Sequence, residues 1–111
     1  MDTSSEKRAF PRKEFNDVVL LQIGTDTGDI FERAQVDNIS LGGICFTNIK
    51  ALKGFEHVSA SVLENNQALV YFHANQITVF GTVTRIEPST ARMALCVKRS
   101  TDDDLWARLC T

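Results

Sequence analysis

The sequence contains little that would place the protein in a membrane or give it a metal centre. No run among its 111 residues approaches the ~18 consecutive apolar residues of a membrane-spanning helix. Residues 1–7 are polar and lack the apolar segment of a secretory signal. The three cysteines, Cys45, Cys96 and Cys110, form no pair at the short spacing of metal ligands. We therefore expect a cytoplasmic protein with no metal site and no membrane insertion.

The positions of the cysteines fit a reducing compartment. Cys45 and Cys96 lie within apolar runs, which is typical of small buried thiols. Cys110 stands next to the C-terminus and is expected to be exposed.

Catalytic groups are also scarce. The two histidines, His57 and His73, lie 16 residues apart in strand-like segments, without a cysteine or carboxylate partner at motif spacing. The acidic triplet 102–104 is typical of a helix N-terminus rather than of a metal site. No glycine-rich phosphate loop of P-loop or Rossmann spacing occurs. The sequence therefore predicts a binding protein and not an enzyme.

The charge balance and the few aromatic residues argue against a nucleic-acid partner. The net charge is −2, and the chain has one Trp and one Tyr with which to stack bases. We expect no DNA or RNA partner. Basic side chains nevertheless cluster near the N-terminus, at Lys7, Arg8, Arg12 and Lys13. Residues 1–7 are predicted to be a flexible arm that precedes a single domain over 8–111.

Short β-rich segments separated by turn residues recur along the chain. The predicted strands are 18–23, 30–36, 44–47, 57–63, 68–73, 76–86 and 92–98. Residues 48–55 fit either one helical turn or an irregular loop. Six or seven short strands at regular spacing indicate an antiparallel barrel or sandwich.

A short helix is predicted over 102–109. Ser100 or Thr101 is the expected N-cap, and the acidic first turn suits the helix dipole. Leu105, Trp106 and Leu109 form an apolar stripe that packs either on the barrel or on a second copy of the chain. The protein is thus expected to be a monomer or a homodimer.

Two polar elements remain once these patterns are explained. Arg8 and Arg12 are four residues apart, and Pro11 between them favours an extended or turn-like backbone. The stretch 37–43, Asp-Asn-Ile-Ser-Leu-Gly-Gly, is predicted to be a tight turn between two strands. Such a turn can present side-chain and backbone hydrogen bonds to a polar ring or a phosphate.

This pair of elements resembles the signature of the PilZ domain family, Arg-x-x-x-Arg followed by Asp/Asn-x-Ser-x-x-Gly. The match extends to the motif separation, the late strand around 81–85 and the C-terminal helix, so it covers nearly the whole chain. The resemblance implies a six-stranded antiparallel PilZ-type β-barrel with a short C-terminal helix. It also implies a ligand, since many PilZ domains bind the bacterial second messenger cyclic di-GMP.

The resemblance assigns binding roles to particular residues. The ligand carries two phosphates and two guanines, and an arginine fork can grip phosphate or guanine O6/N7 and stack on a purine. Asn38 and Ser40 would bind a base edge. The family often has Asp where this chain has Asn38, and Asp37 compensates only if its side chain faces the same side. The principal nucleotide-binding residues are therefore expected to be Arg8, Arg12, Asn38, Ser40 and Gly43, and the secondary ones Lys7, Asp37, Gly42 and Arg85.

The implied mechanism is ordering of the arm 1–13 on binding, with the signal passed to a partner protein in motility, biofilm or exopolysaccharide control. The main alternative is a PilZ-like adaptor that binds no nucleotide, as in type IV pilus assembly. A small barrel for single-stranded nucleic acid and a dinucleotide hydrolase are weaker alternatives. The net charge disfavours the first of these, and the lack of a metal cluster or base–nucleophile set disfavours the second.

Overall fold

The computed structural model describes residues 12–26, 28–49 and 64–111. Strands form where apolar and polar residues alternate, since a strand then buries one face and leaves the other to solvent. The described elements are β1 (Lys13–Ile23), β2 (Ile30–Ser40), β3 (Gly43–Thr47), β4 (Gln67–Phe72), β5 (Ile77–Glu87), β6 (Arg92–Ser100) and α1 (Asp103–Leu109).

The six strands close into a barrel. Their order around it is β1-β2-β3-β6-β5-β4, and every neighbouring pair is antiparallel. Closure pairs each described strand with a neighbour on both sides, and β1 meets β4 over residues 20–23. This architecture, with one short helix at the C-terminus, confirms the predicted fold class.

The barrel is filled by the inward side chains of all six strands. Burial is nearly complete for large residues of β1 to β5, among them Leu21, Ile39, Phe46, Phe72 and Ile77. One end is closed by α1, whose Trp106 ring lies 5.6 Å from that of Phe72. Trp106 also donates a hydrogen bond from Nε1 to the Leu41 carbonyl at 3.2 Å. The apolar stripe of α1 therefore packs within the molecule, and Leu105 and Leu109 are half-buried against the same core.

The predicted turn at 37–43 is wrong for residues 37–40 and for Gly43, which begins β3. β2 continues through Ser40, because residues 38–40 pair with β3 and residues 38 and 39 also pair with β1. The turn proper is Leu41 and Gly42. Register shifts between Val36 and Asn38 and between Glu14 and Asp17 mark a bulge in this part of the sheet.

The helix cap and the strand starts also differ from the prediction. The N-cap is Asp102, whose Oδ1 accepts from the Leu105 N–H at 3.0 Å. Thr101 is used elsewhere, since its Oγ1 accepts from the Thr78 N–H at 3.1 Å. β1 begins at Lys13, five residues before the predicted start at Val18, so Lys13 belongs to the barrel and not to the arm.

The cysteine environments are reversed relative to the prediction. Cys110 is buried at the end of α1, whereas Cys45 and Cys96 are only half-buried. The reason is strand alternation: Cys45 and Cys96 lie on the outer face of β3 and β6, between inward-facing neighbours such as Ile44 and Leu95.

Two predictions fall at or beyond the limits of the described residues. The strand expected at 57–63, which includes His57, lies outside them, as do residues 50–55 of the ambiguous segment. Ile49 is described: it is buried, and its N–H donates to the Ala91 carbonyl at 2.9 Å. Within the described parts of the chain, no helix is long and apolar enough to cross a membrane.

Candidate functional site

A groove of about 520 Å³ runs over the outer face of the barrel where β2, β3, β6 and β5 lie side by side. Its floor is made of small residues, since Gly43 pairs with Cys96 and Cys45 pairs with Ala94 across β3 and β6. All four face outward and are half-buried. Because small side chains stand low on a sheet, this floor is a shallow shelf that can receive a planar ring.

Gly43 is fitted closely into the floor. A Cβ atom on Gly43 would lie 3.3 Å from the Leu95 carbonyl oxygen and 3.8 Å from Ser40 Oγ. A side chain here would also project into the groove beside Ser40. The glycine therefore keeps the shelf open, from a position in β3 and not in the turn where the sequence placed it.

Arg12 stands at the rim of the groove. The pairing of Lys13 with Ile39 places Arg12 beside the end of β2, and its exposed side chain lines the groove together with Asn38 and Ser40. Arg12 also lines a smaller adjoining cavity of about 40 Å³. Arg12 thus borders both the groove and the smaller cavity, and its planar guanidinium carries five hydrogen-bond donors.

The bulge in β2 turns two consecutive side chains outward. Asp37 and Asn38 are both half-buried between the inward-facing Val36 and Ile39, where regular alternation would place one of them inside. Asn38 donates from Nδ2 to Asp37 Oδ2 at 2.9 Å. Asp37 therefore faces the same side as Asn38, as its predicted participation requires.

A second basic residue holds Asp37 from across the sheet. Arg92 Nη2 contacts Asp37 Oδ2 at 3.2 Å. Arg92 also lines the smaller cavity together with Arg85, which forms an ion pair with Glu87 at 3.4 Å. The described part of the site thus presents three arginines, of which Arg12 makes no ion pair with another described residue.

Arg92 and the outer faces of β3 and β6 were not predicted from the sequence as parts of the site. A signal for Arg92 was present, because the alternation of β6 puts residues 92, 94 and 96 on one face. What the sequence did not reveal is that β6 lies next to β3, so that this face adjoins the motif.

Most of the predicted site residues meet in one place. The groove is lined by Arg12, Asn38, Ser40, Gly42 and Gly43. The Gly42 carbonyl accepts from the Val97 N–H at 3.0 Å, so that residue is tied to β6. Arg85 lines the smaller cavity, and Asp37 contacts Arg92, which lines the same cavity. Lys7 and Arg8 are outside the described residues.

The other groups of chemical interest among the described residues are a histidine and a buried thiol. The described part of the chain contains no group of three or more potential metal ligands. His73 is exposed and makes an edge contact with Tyr71 at 5.9 Å between ring centroids. Burial raises the pKa of the Cys110 thiol to about 11, against a smaller opposing effect of Lys13, so this cysteine is neutral near pH 7.

Comparison with known proteins supports the fold. No protein-family model matches the sequence, and no curated protein matches it significantly. Among solved structures the chain is similar to the Bacillus subtilis inhibitor of motility MotI/DgrA, with a TM-score of 0.57 and 20% sequence identity. The match covers 94% of this chain and 49% of the other, so the protein spans about half the length of that neighbour. The likeness shows that this chain shares its barrel fold with that neighbour.

Proposed function

We propose that the protein is a receptor for cyclic di-GMP, which it binds in the groove without chemical change. The observation that carries this proposal is the meeting of two distant motifs. Arg12, from the first motif, lines the same groove as Asn38, Ser40 and Gly43 from the second, on a PilZ-like barrel. Neither motif alone points to a ligand, but together they surround one shelf.

The chemistry of the groove matches the chemistry of the ligand. The arginine fork suits a phosphate or the O6/N7 edge of guanine, and a charge-assisted contact of this kind contributes about 1.5–3 kcal/mol. Asn38 and Ser40 offer hydrogen bonds to a base edge. The small residues of the floor leave room for a purine to lie flat. Each feature has a counterpart in a nucleotide with two phosphates and two guanines.

Arg8 completes the site in this proposal. It lies four residues before Arg12 in the sequence, and Lys7 adds a further positive charge. Ligand binding would draw this part of the arm over the groove, which changes the surface that a partner protein meets. The similarity to a protein named as an inhibitor of motility supports a signalling output through a protein, in motility or in related surface behaviour of a bacterial cell.

The test is calorimetric titration of cyclic di-GMP into the protein and into an Arg8→Ala/Arg12→Ala variant. We expect tight binding by the parent and a loss of at least about a hundredfold in the variant, because two charge-assisted contacts disappear. The matched control is Arg33→Ala/Arg108→Ala. It removes the same charge from two exposed positions that do not line the groove, and we expect its affinity to stay within about twofold of the parent.

The result against the proposal is equally plain. If the parent releases no heat and gains no thermal stability with cyclic di-GMP, the receptor function is wrong. The adaptor alternative would then be the one to pursue, with the search directed to a protein partner. Equal losses in both double variants would indicate binding through net charge alone and would also contradict a specific site.

A further inference from the structure

We propose that Asp37 and Arg92 are positioning residues that orient the Asn38 amide and thereby make the groove select guanine over adenine. The inference rests on the proposed function, because it concerns which cyclic dinucleotide the groove takes. Its basis is the hydrogen-bonded chain from Arg92 to Asp37 to Asn38 at the bulge of β2.

The direction of the Asn38 amide follows from chemistry. An ionised carboxylate only accepts hydrogen bonds, so the end of the amide that lies 2.9 Å from Asp37 Oδ2 must be the NH₂ group. Arg92 fixes the carboxylate in turn, since its Nη2 lies 3.2 Å from the same oxygen. The amide therefore has one preferred orientation, although an isolated asparagine has two of nearly equal energy.

The opposite end of the amide is its acceptor, Oδ1. Among the described residues no buried side-chain nitrogen or oxygen lacks a hydrogen-bond partner. Asn38 Oδ1 bonds to no described residue. Because Asn38 lines the groove, we place the free acceptor at the groove wall.

An acceptor at this wall distinguishes the two purines. Guanine presents N–H donors at N1 and at its 2-amino group, whereas adenine presents a lone pair at N1 and a C–H at position 2. A guanine edge facing Asn38 gains a hydrogen bond, and an adenine edge in the same position leaves two acceptors facing each other. A site that leaves polar groups unpaired rejects the wrong ligand more strongly than a site of merely imperfect shape.

The ion pair acts through orientation more than through stability. The Asp37 and Arg92 side chains are 42% and 44% exposed, and ion pairs at such positions contribute little to folding. Variants at these positions should therefore fold. Without Asp37, the amide is free to present its NH₂ group to the groove, where it suits adenine N1.

The test compares the affinities of cyclic di-GMP and cyclic di-AMP by calorimetry. We expect Asp37→Ala to lower the guanine-to-adenine affinity ratio by at least about tenfold, and Arg92→Ala to lower it less, because Asp37 remains. Adding Asn38→Asp to Asp37→Ala should restore the preference, since a carboxylate presents acceptors in either orientation and needs no positioning partner. If Asp37 only stabilised the fold, adding Asn38→Asp would not restore the preference for guanine.

Asp29→Ala is the matched control. Its carboxylate also accepts from a side-chain amide, that of Gln22 at 2.6 Å, but on the β1–β2 face away from the groove. It should leave the ratio unchanged. An Asp37→Ala protein that binds cyclic di-GMP with an unchanged ratio would overturn the inference, as would failure of the rescue, while leaving the receptor function intact. A parent that binds neither nucleotide would instead overturn the proposed function.

Discussion

Two hollows of similar size lie on different faces of the barrel, and their chemistry differs. The groove face is floored by small residues and rimmed by Arg12, Asn38 and Ser40. The second hollow, of about 470 Å³, lies over β1, β2 and β4, and its wall is largely apolar. Leu20 and Phe31 there are 50% and 70% exposed. We therefore place the proposed nucleotide site by its converging hydrogen-bonding groups and not by its volume.

The strand β2 belongs to both faces. Its first half carries Phe31 and Arg33 outward over β1, and its second half carries Asn38 and Ser40 outward toward β3. The bulge at Asp37 lies between them. One strand therefore carries a hydrophobic surface and a polar one, and the bulge adds an extra outward residue between them.

The largest expected effect separates the core from the exposed apolar face. Phe46→Ala should lower the free energy of unfolding by about 3–5 kcal/mol, because Phe46 is fully buried inside the barrel. Phe31→Ala should change it by no more than about 0.5 kcal/mol, because Phe31 is largely exposed. Denaturant titration of both variants measures the difference. Equal losses would mean that the β1–β2 face is packed in solution.

The next prediction concerns a substitution that fills the groove and leaves the fold intact. Ala94→Phe places a ring on the shelf, where Ala94 is half-buried opposite Cys45, and should weaken cyclic di-GMP binding at least about a hundredfold. Thermal unfolding should change only slightly. Leu69→Phe adds bulk to the other hollow and should leave the affinity within about twofold. A larger loss of affinity in Leu69→Phe than in Ala94→Phe would mean that cyclic di-GMP binds over β1, β2 and β4 and not in the groove.

Thiol chemistry gives a smaller and independent contrast. Cys45 and Cys96 face the groove and should react with a maleimide faster than the buried Cys110. Bound cyclic di-GMP should slow labelling of the first two and leave Cys110 unchanged. Peptide mass spectrometry after timed labelling reads each site separately. Uniform protection of all three thiols would indicate general stabilisation and not occupation of the groove.

A further expected effect is a pH dependence of stability due to Cys110. Burial raises the pKa of its thiol to about 11 in the folded state, whereas the ordinary value is 9.0. Above pH 9 the unfolded chain loses this proton first, so the contribution of Cys110 to stability falls as pH rises from about 9 to about 11. The stability difference between the parent and Cys110→Ser should therefore shrink over that range. A constant difference would show that the thiol does not titrate this way.

Much of this architecture could be predicted from the sequence, for physical reasons. Alternation marked the strands, and the acidic first turn with Trp106 marked the helix. The resemblance to the PilZ pattern supplied the barrel closure and singled out Arg12, Asn38, Ser40 and Gly43. Residue type and spacing mark these residues, and both can be recognised without knowledge of the tertiary fold.

The remainder depends on contacts between distant segments. Arg92 meets Asp37 across 55 positions of sequence, and no local pattern in either segment announces that contact. The bulge was missed because Asp-Asn-x-Ser is typical turn chemistry, although here the neighbouring strands extend β2 through it. The exposure of Cys45 and the burial of Cys110 likewise depend on strand facing and on how α1 closes the barrel.

A two-dimensional NMR titration of the labelled protein with cyclic di-GMP tests most directly whether the nucleotide binds in the groove. We expect saturable shifts concentrated at the amides of the groove, chiefly Ser40, Gly43, Ala94 and Cys96, with little change at Leu20, Leu69 and Tyr71. Shifts concentrated on the apolar face, or no shifts at saturating nucleotide, would contradict binding in the groove.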